Sequence, residues 1–195
     1  MSLAQPLSPR LTRLRSRLAA HRPATDDDAS LLWAAVAVVL TPSPDAVLLI
    51  RRADRAGDPW SGHMALPGGR REPEDADLVA TAAREAREEL GLVLTSGDLI
   101  GSLDDVVPRT PVLPPIAVRP YVYCLPERPL LQPNAEVAGY HWSELDHLLH
   151  PQTYRDAELE IRGERRAFPA YHLDQSVVWG MTERILTDVF RHLQD

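Results

Sequence analysis

The stretch from Gly68 to Leu92 reads GGRREPEDADLVATAAREAREELGL and joins a Gly-Gly turn, a short acidic loop and a helical segment. At about 100° per residue, the side chains of Glu85, Glu88 and Glu89 fall within one arc of a helix. The neighbouring arc holds small and apolar side chains, namely Val79, Ala82, Ala83, Ala86 and Leu90. The stretch therefore predicts a helix with a packing face beside a carboxylate cluster, and Gly91 is a typical helix-ending residue.

The carboxylate cluster is unfavourable for the helix by itself. Glu85 has like charges at i+3 and i+4, and each such pair costs roughly 0.2–0.5 kcal/mol. Glu88 and Glu89 also lie near the negative end of the helix dipole, and Arg84 is placed to relieve only Glu88 at i+4. A divalent cation would neutralise the remainder, because Mg²⁺ in phosphate-handling sites is held by a few carboxylates together with substrate phosphates. From the residues alone, a solvated charged face stays open as the alternative.

The segment from Arg84 to Leu92, REAREELGL, resembles the second half of the Nudix box position for position. That pattern is Gly, five residues, Glu, seven residues, then Arg-Glu-apolar-any-Glu-Glu-any-Gly-apolar. Gly69 matches the leading Gly, and Asp75 stands where the pattern has its first Glu. Eight residues rather than seven separate Asp75 from Arg84, so the role of Asp75 stays open.

The resemblance implies an α/β fold, a Nudix-type α/β/α sandwich around a mixed β-sheet. It also implies an enzyme that hydrolyses a phosphoanhydride bond with Mg²⁺ or Mn²⁺ as cofactor. The predicted metal ligands are Gly69, through its carbonyl, and the side chains of Glu85, Glu88 and Glu89. The predicted catalytic residues are Glu85, Arg84 and Glu88, where Arg84 orients the cluster and Glu85 is one candidate base. Glu136 is a candidate late ligand or base, and an isolated surface Glu is its alternative.

Two further segments resemble the coenzyme A pyrophosphatase branch of the family. They are LLIRRADRAGDPWSGHMALPGG (residues 48–69) and VVWGMTERIL (residues 177–186). The first departs from the branch signature at Ile50, Gly57 and Leu66, and one extra residue precedes Gly62. The resemblance implies coenzyme A or acyl-coenzyme A as substrate. A broad pyrophosphatase for nucleoside triphosphates, dinucleotides or sugar diphosphates is the alternative enzyme, and a non-catalytic nucleotide-binding protein is the alternative of another class.

Basic and aromatic side chains near the box are candidates for contacts with a small diphosphate substrate. Arg52 and Arg70 are the predicted phosphate-binding residues, with a surface arginine as the alternative for each. Trp60 fits either stacking on a base or packing, and His63 is expected to be structural. The Pro-rich loop at residues 109–115 is expected to shape a pocket or to serve as a rigid connection.

The net charge of −7 opposes sequence-independent nucleic-acid binding, because the phosphate backbone would be repelled. No stretch of the sequence is long and apolar enough to span a membrane, and the N-terminus lacks the apolar core of a signal peptide. The single Cys124 cannot form an internal disulfide and is expected to be buried. These features predict a cytoplasmic protein with no membrane or nucleic-acid partner, and leave a homodimer open.

The chain length and patterning predict one domain over residues 1–195, with an N-terminal helix and loop (1–30) and a core (31–195). Ser8 and Pro9 are expected to start the first helix. Strands are predicted at 31–41, 46–52, 63–66, 99–107, 117–125 and 137–142, with a short capped helix at 143–149. A hairpin is predicted at 154–172 with its turn at Arg162-Gly163, and a last helix at 177–193 with Asp174 or Ser176 as its cap.

Overall fold

The computed structural model describes residues 6–26, 28, 30–56, 60–108, 115–161 and 163–194. The helices are α1 (Pro9–Ala20), α2 (Leu78–Leu90), α3 (Leu145–Leu148) and α4 (Gly180–Gln194). The strands are β1 (Leu32–Thr41), β2 (Ala46–Arg52), β3 (Met64–Ala65), β4 (Gly68–Arg70), β5 (Leu99–Ser102), β6 (Ile116–Cys124), β7 (Val137–Glu144), β8 (Tyr154–Ile161), β9 (Glu164–His172) and β10 (Val177–Trp179). Among these helices, none is both long and apolar enough to cross a membrane.

The main sheet is mixed, because β1 pairs parallel with β6 and antiparallel with its other neighbours. Strands β1 and β2 form a hairpin that is paired at Leu40↔Val47 and Thr41↔Ala46. Further along, β4 pairs with β1 and β3 pairs with β2. The segment from β3 to β4 therefore fills the opening between the two strands, and this places the Gly-Gly turn within the sheet.

Helices cover both faces of this sheet, and each face has its own hydrophobic core. One core packs α2, through Ala82, Ala86 and Leu90, against Ala35 and Ala37 of β1. The other core gathers side chains of α1, α3 and α4 on the opposite face, which includes Ala34 and Val38 of β1. The alternation along β1 divides its side chains between the two cores. The predicted α/β/α sandwich around a mixed sheet is therefore confirmed.

The N-terminal helix begins as its sequence predicts. The Ser8 hydroxyl accepts a hydrogen bond from the backbone N–H of Leu11 at 3.1 Å, and Pro9 occupies the first helical position. Leu11, Leu14 and Leu18 are buried in the core that they share with α4. The amphipathic pattern therefore joins α1 to the rest of the fold.

The last helix starts later than predicted. Residues Val177–Trp179 form β10, which pairs with β9 in a separate sheet of order β10-β9-β8. Gly180 has φ 68°, a left-handed conformation that glycine adopts readily, and α4 runs from there. The predicted start at Val177 and the predicted caps Asp174 and Ser176 are wrong, because residues 177–179 form a strand that pairs with β9.

Three other local predictions have mixed outcomes. The hairpin of β8 and β9 is confirmed, with Gly163 between its strands; Arg162 lies outside the described residues. The predicted strand at 99–107 ends at Ser102, and only a single bridge from Val106 to Val118 continues its pairing. The predicted short helix is confirmed, but Ser143 is part of β7 and the helix has no side-chain cap.

Cys124 ends the central strand β6 and is buried, as predicted, without a disulfide partner. Burial in apolar surroundings raises the pKa of its thiol to about 12. The thiol is therefore a packing group, because the reactive thiolate is disfavoured.

Candidate active site

Helix α2 is fixed at both ends by local interactions. The Asp77 carboxylate accepts a hydrogen bond from the backbone N–H of Ala80 at 2.7 Å and caps the N-terminus. Gly91 closes the C-terminus in the left-handed conformation with φ 65°. These two caps fix where the helix begins and ends.

Arg84 of α2 is held by a buried carboxylate from that loop. Its Nε donates to Oδ1 of Asp75 at 2.9 Å, and its Nη2 donates to Oδ2 at 3.0 Å. Asp75 is only 7% exposed, and Thr81 and the backbone N–H of Glu72 also donate to it. The hydrogen bonds from Arg84 hold the pKa of Asp75 well below its usual range. The altered spacing left the role of Asp75 open. In the structure, Asp75 is the principal partner of Arg84.

Arg84 also joins two of the predicted metal ligands. Its Nη1 donates to Glu85 Oε1 and to Glu88 Oε2, each at 3.0 Å. Its Nη2 additionally donates to the carbonyl of Arg70 at 2.9 Å. In the described part of the chain, no three His, Cys, Asp or Glu side chains stand together as a metal-binding group. Here Glu85 and Glu88 meet at Arg84, while Glu89 accepts a hydrogen bond from the Gly68 backbone instead, and the assignment of all three as ligands stays a prediction.

Glu89 is the most deeply buried carboxylate of the cluster, with 5% exposure. It accepts a hydrogen bond from the backbone N–H of Gly68 at 3.0 Å. Burial raises its pKa to about 8, while this hydrogen bond and the charge of Arg52 oppose the rise. A carboxylate that is so costly to ionise is well suited to a site where a cation is bound.

The two glycines of the turn allow the helix and the sheet to approach each other. A Cβ on Gly69 would lie 2.3 Å from Glu85 Oε1, and one on Gly68 would lie 2.4 Å from the carbonyl oxygen of Ala35. Gly68 also has φ 153°, where side chains are strained. The Glu85 carboxylate therefore lies directly against the backbone of Gly69, whose carbonyl is also a predicted metal ligand.

The predicted phosphate-binding arginines open onto the same space as the glycine turn. Arg52 and Arg70 line a cavity of about 810 Å³ together with Gly68, Gly69 and Glu89. The structure thus brings these two arginines to the carboxylate cluster. Their contact with substrate stays a prediction.

Glu136 lies close enough to the cluster to act on it electrostatically. Burial is the main cause of the raised pKa values of Glu85 and Glu89, and the charge of Glu136 adds to both. Its carboxylate accepts a hydrogen bond from Arg55 at 2.7 Å and is half exposed. The prediction that it is a late ligand or base remains untested by this geometry.

The cavity is also lined by residues that the sequence analysis did not assign to the site. Phe168 of β9 and Trp179 of β10 line it, together with Trp60 and His63. The Trp179 and Phe168 rings are 5.0 Å apart, and the Trp179 and Trp60 rings are 5.8 Å apart. Trp179 lies in the segment 177–186 that resembles the coenzyme A pyrophosphatase branch, but the prediction of a helix there gave no reason to place Trp179 in the cavity. No local pattern in the sequence pointed to Phe168.

Comparison with protein families and with known sequences identifies the family. The NUDIX domain family matches residues 31–162. A protein of Photorhabdus laumondii named Nudix hydrolase NudL is 30% identical over 162 residues, which cover 83% of this chain and 84% of that protein. The NudL protein of Shigella boydii is 29% identical over 158 residues, covering 80% of each chain. A protein of Schizosaccharomyces pombe is 34% identical over 131 residues, or 64% of this chain and 40% of that longer protein.

The fold is similar to that of solved Nudix proteins. A MutT/nudix family protein from Enterococcus faecalis superimposes with a TM-score of 0.63 at 19% identity, covering 97% of this chain and 75% of that chain. The Nudix domain of Shewanella oneidensis NrtR, solved with ADP-ribose, has a TM-score of 0.51 at 23% identity and covers 69% of this chain and 85% of that chain. Since the family matches over the box and the surrounding sheet, the chain belongs to the Nudix domain family and is a Nudix hydrolase.

Proposed function

We propose that this enzyme hydrolyses the diphosphate bond of coenzyme A or of its acyl esters, with Mg²⁺ or Mn²⁺ bound at the carboxylate cluster. One observation carries the choice of substrate. The two segments that resemble the coenzyme A pyrophosphatase branch are more than a hundred residues apart in sequence, yet both line the cavity that contains Glu89. Arg52 and Trp60 come from the first segment, and Trp179 and Arg184 come from the second.

The donor atoms of the site fit a hard divalent cation. The Glu85, Glu88 and Glu89 carboxylates and the Gly69 carbonyl supply only oxygens, which Mg²⁺ and Mn²⁺ prefer. Burial of Glu89 at the glycine turn, with its raised pKa, supports a site whose charge is completed by a cation. When bound, the metal supplies charge neutralisation of the diphosphate and lowers the pKa of a coordinated water.

The chain's own residues position the reacting groups. Arg84, anchored by Asp75, holds the Glu85 and Glu88 carboxylates on one side of the glycine turn. Arg52 and Arg70 face the same cavity, where a guanidinium can donate charge-assisted hydrogen bonds to phosphate oxygens. Glu85 is the proposed base, taking a proton at its carboxylate from the attacking water.

The test is a substrate panel with the purified protein. Coenzyme A, acetyl-coenzyme A, ADP-ribose, a dinucleoside diphosphate and ATP are incubated with Mg²⁺ or Mn²⁺, and products are identified by mass spectrometry. The expected result is cleavage of coenzyme A at its diphosphate, giving adenosine bisphosphate and phosphopantetheine. Turnover of ATP or ADP-ribose without any turnover of coenzyme A would establish the broad pyrophosphatase instead. Binding without turnover of any compound would establish the non-catalytic alternative.

A further inference from the structure

The cavity beside the carboxylate cluster extends far beyond the space that a diphosphate needs. Its volume is about 810 Å³, at the upper end of what small-molecule sites usually have. Gly68, Gly69 and Glu89 line its polar end. Its lining also includes side chains from the sheet face opposite α2 and from the second sheet.

The middle of the cavity is apolar. Its floor consists of aliphatic side chains from β1 and β6, namely Ala34, Val36, Ile116 and Val118, and Met181 and Ile185 of α4 close it from above. Among the described lining residues, Glu164, Arg166 and Arg184 are exposed and therefore lie at its rim. The lining thus combines a large apolar surface with charged side chains at the glycine turn and at the exposed rim.

Four rings form what we call the aromatic wall, made of Trp60, His63, Phe168 and Trp179. Trp179 is its centre, with ring centroids 5.0 Å from Phe168, 5.1 Å from His63 and 5.8 Å from Trp60. The ring planes in these three contacts differ by 45°, 73° and 47°, so none of these three rings is parallel to Trp179. Tilted and edge-to-face contacts of this kind are favourable between aromatic rings, and together with the aliphatic floor they give the cavity an apolar surface that suits an aliphatic chain.

We propose that the aromatic wall binds an aliphatic chain tethered to the diphosphate, and that Trp179 is the specificity-determining residue for that chain. The proposal rests on the proposed function for placing the diphosphate at the Gly68 and Glu89 end of the cavity. Two kinds of ligand carry such a chain: an acyl thioester of coenzyme A, and an isoprenoid esterified directly to diphosphate. The chain lies over the floor of β1 and β6, with its end against Trp179.

Burial of the chain sets the size of the expected effect. Each methylene group removed from water tightens binding by up to about fourfold. Decanoyl-coenzyme A is therefore expected to bind at least thirtyfold more tightly than coenzyme A. Removing the central ring takes away the surface that the chain end covers, so this ratio is expected to fall at least tenfold in Trp179→Ala.

The experiment measures binding by calorimetry in EDTA, where the metal-dependent hydrolysis does not interfere. The ligand pairs are coenzyme A with decanoyl-coenzyme A, and inorganic diphosphate with farnesyl diphosphate, all below micelle-forming concentrations. The variants are Trp179→Ala and Phe168→Ala, and the matched control is Trp142→Ala. Trp142 is a half-buried tryptophan of β7 that packs against the core on the α2 face. Phe168 is half-buried in the hairpin, so its variant tests the wall even if Trp179→Ala does not fold.

The proposal expects chain-dependent tightening in at least one ligand pair, a reduced ratio in both wall variants, and an unchanged ratio in Trp142→Ala. The pair that shows the effect identifies the source of the chain. An unchanged ratio in folded wall variants overturns the proposal, as does an equal loss for the chained and unchained ligands. Chain-dependent binding without hydrolysis of any diphosphate would refute only the proposed function, whereas hydrolysis without chain dependence would refute only this inference.

Discussion

Asp75 and Arg84 form a two-point ion pair, with Nε to Oδ1 at 2.9 Å and Nη2 to Oδ2 at 3.0 Å. The remaining Nη1 of Arg84 reaches Glu85 and Glu88. Asp75 thereby fixes the orientation of the arginine, and the arginine fixes the orientation of two carboxylates. A buried residue in the acidic loop controls the geometry of the helix face that carries the predicted chemistry.

The Asp75→Asn substitution is expected to destabilise the protein by about 1.5–3 kcal/mol, because Arg84 loses its two-point charged partner while it keeps Glu85 and Glu88. Urea unfolding without metal measures this loss. Asp146→Asn is the matched control, since Asp146 pairs with Arg10 but is 78% exposed and its pair is worth at most about 1 kcal/mol. Equal losses in the two variants would contradict the role given to Asp75.

The contribution of Asp75 is expected to depend on pH in one direction. Its pKa is lowered in the folded protein by the hydrogen bonds from Arg84, so the folded state favours the ionised form. The stabilisation is therefore complete above the unfolded pKa of about 4 and declines as the pH falls below it. The difference in unfolding free energy between the wild type and Asp75→Asn should shrink as the pH is lowered from 5, which is about one unit above the unfolded pKa. The series ends at the lowest pH at which both proteins still fold. A difference that grows on acidification would refute this.

Activity is expected to require a divalent cation, because the carboxylate cluster supplies negative charge and oxygen donors in one place. Turnover of the best substrate should vanish in EDTA and return with Mg²⁺ or Mn²⁺. The control is a melting curve in EDTA, which should show that the protein remains folded. Full turnover in the chelator would discard the proposed mechanism.

Glu88→Gln and Glu89→Gln are each expected to reduce kcat by on the order of 10² or more, because the charge that holds the cation is lost while the shape is kept. Glu127→Gln, at an exposed position after β6, is the control and should have no effect. In Glu89→Gln the amide oxygen can still accept from Gly68, and no buried charge remains, so metal-free stability should be equal or higher. A fully active variant, or one that is inactive only through unfolding, would remove that residue from the site.

Alanine substitutions at the two glycines of the turn are expected to have different effects, one mainly on stability and the other mainly on turnover. Gly68→Ala meets the backbone of β1, which cannot move easily, and should destabilise the fold by about 1–3 kcal/mol or more. Gly69→Ala meets the Glu85 carboxylate, which can rotate away, so it should reduce turnover more than stability. Gly139→Ala is the control, since nothing lies within 4 Å of its added methyl group. Unfolding curves and kcat for the three variants separate these effects, and a fully active Gly69→Ala would contradict the contact.

Coenzyme A is expected to compete with other nucleoside diphosphate derivatives at comparable kcat/KM. Gly57, which lies outside the described residues, stands where the branch signature has Arg, and a lost charge-assisted contact is worth roughly 1.5–3 kcal/mol. That corresponds to a selectivity loss of about tenfold to a hundredfold. Gly57→Arg should restore preference for coenzyme A over its dephospho form, and Gly57→Ala should not. A thousandfold preference in the wild type would show that the altered loop does not weaken recognition.

Local interactions explain why much of the fold follows from the sequence. The first strand hairpin, the capped start of α1 at Ser8 and Pro9, and the end of α2 at Gly91 depend on residues within one turn of each other. The carboxylates share one helix face because the helical period is fixed. The family resemblance adds the sandwich and the hydrolase activity, since its pattern lies in one continuous segment.

Tertiary structure decided what depends on distant partners. The Val177–Trp179 segment has an apolar pattern that suits a helix, and only pairing with β9 made it a strand. Asp75 contacts Arg84 because the loop before α2 folds back on the helix, which the spacing along the sequence did not reveal. Trp60 and Trp179 meet in one cavity because β10 of the second sheet packs beside β3. Residue type and spacing along the chain determine the chemistry of the cluster, whereas the shape of the space around it arises from packing between segments that no local pattern connects.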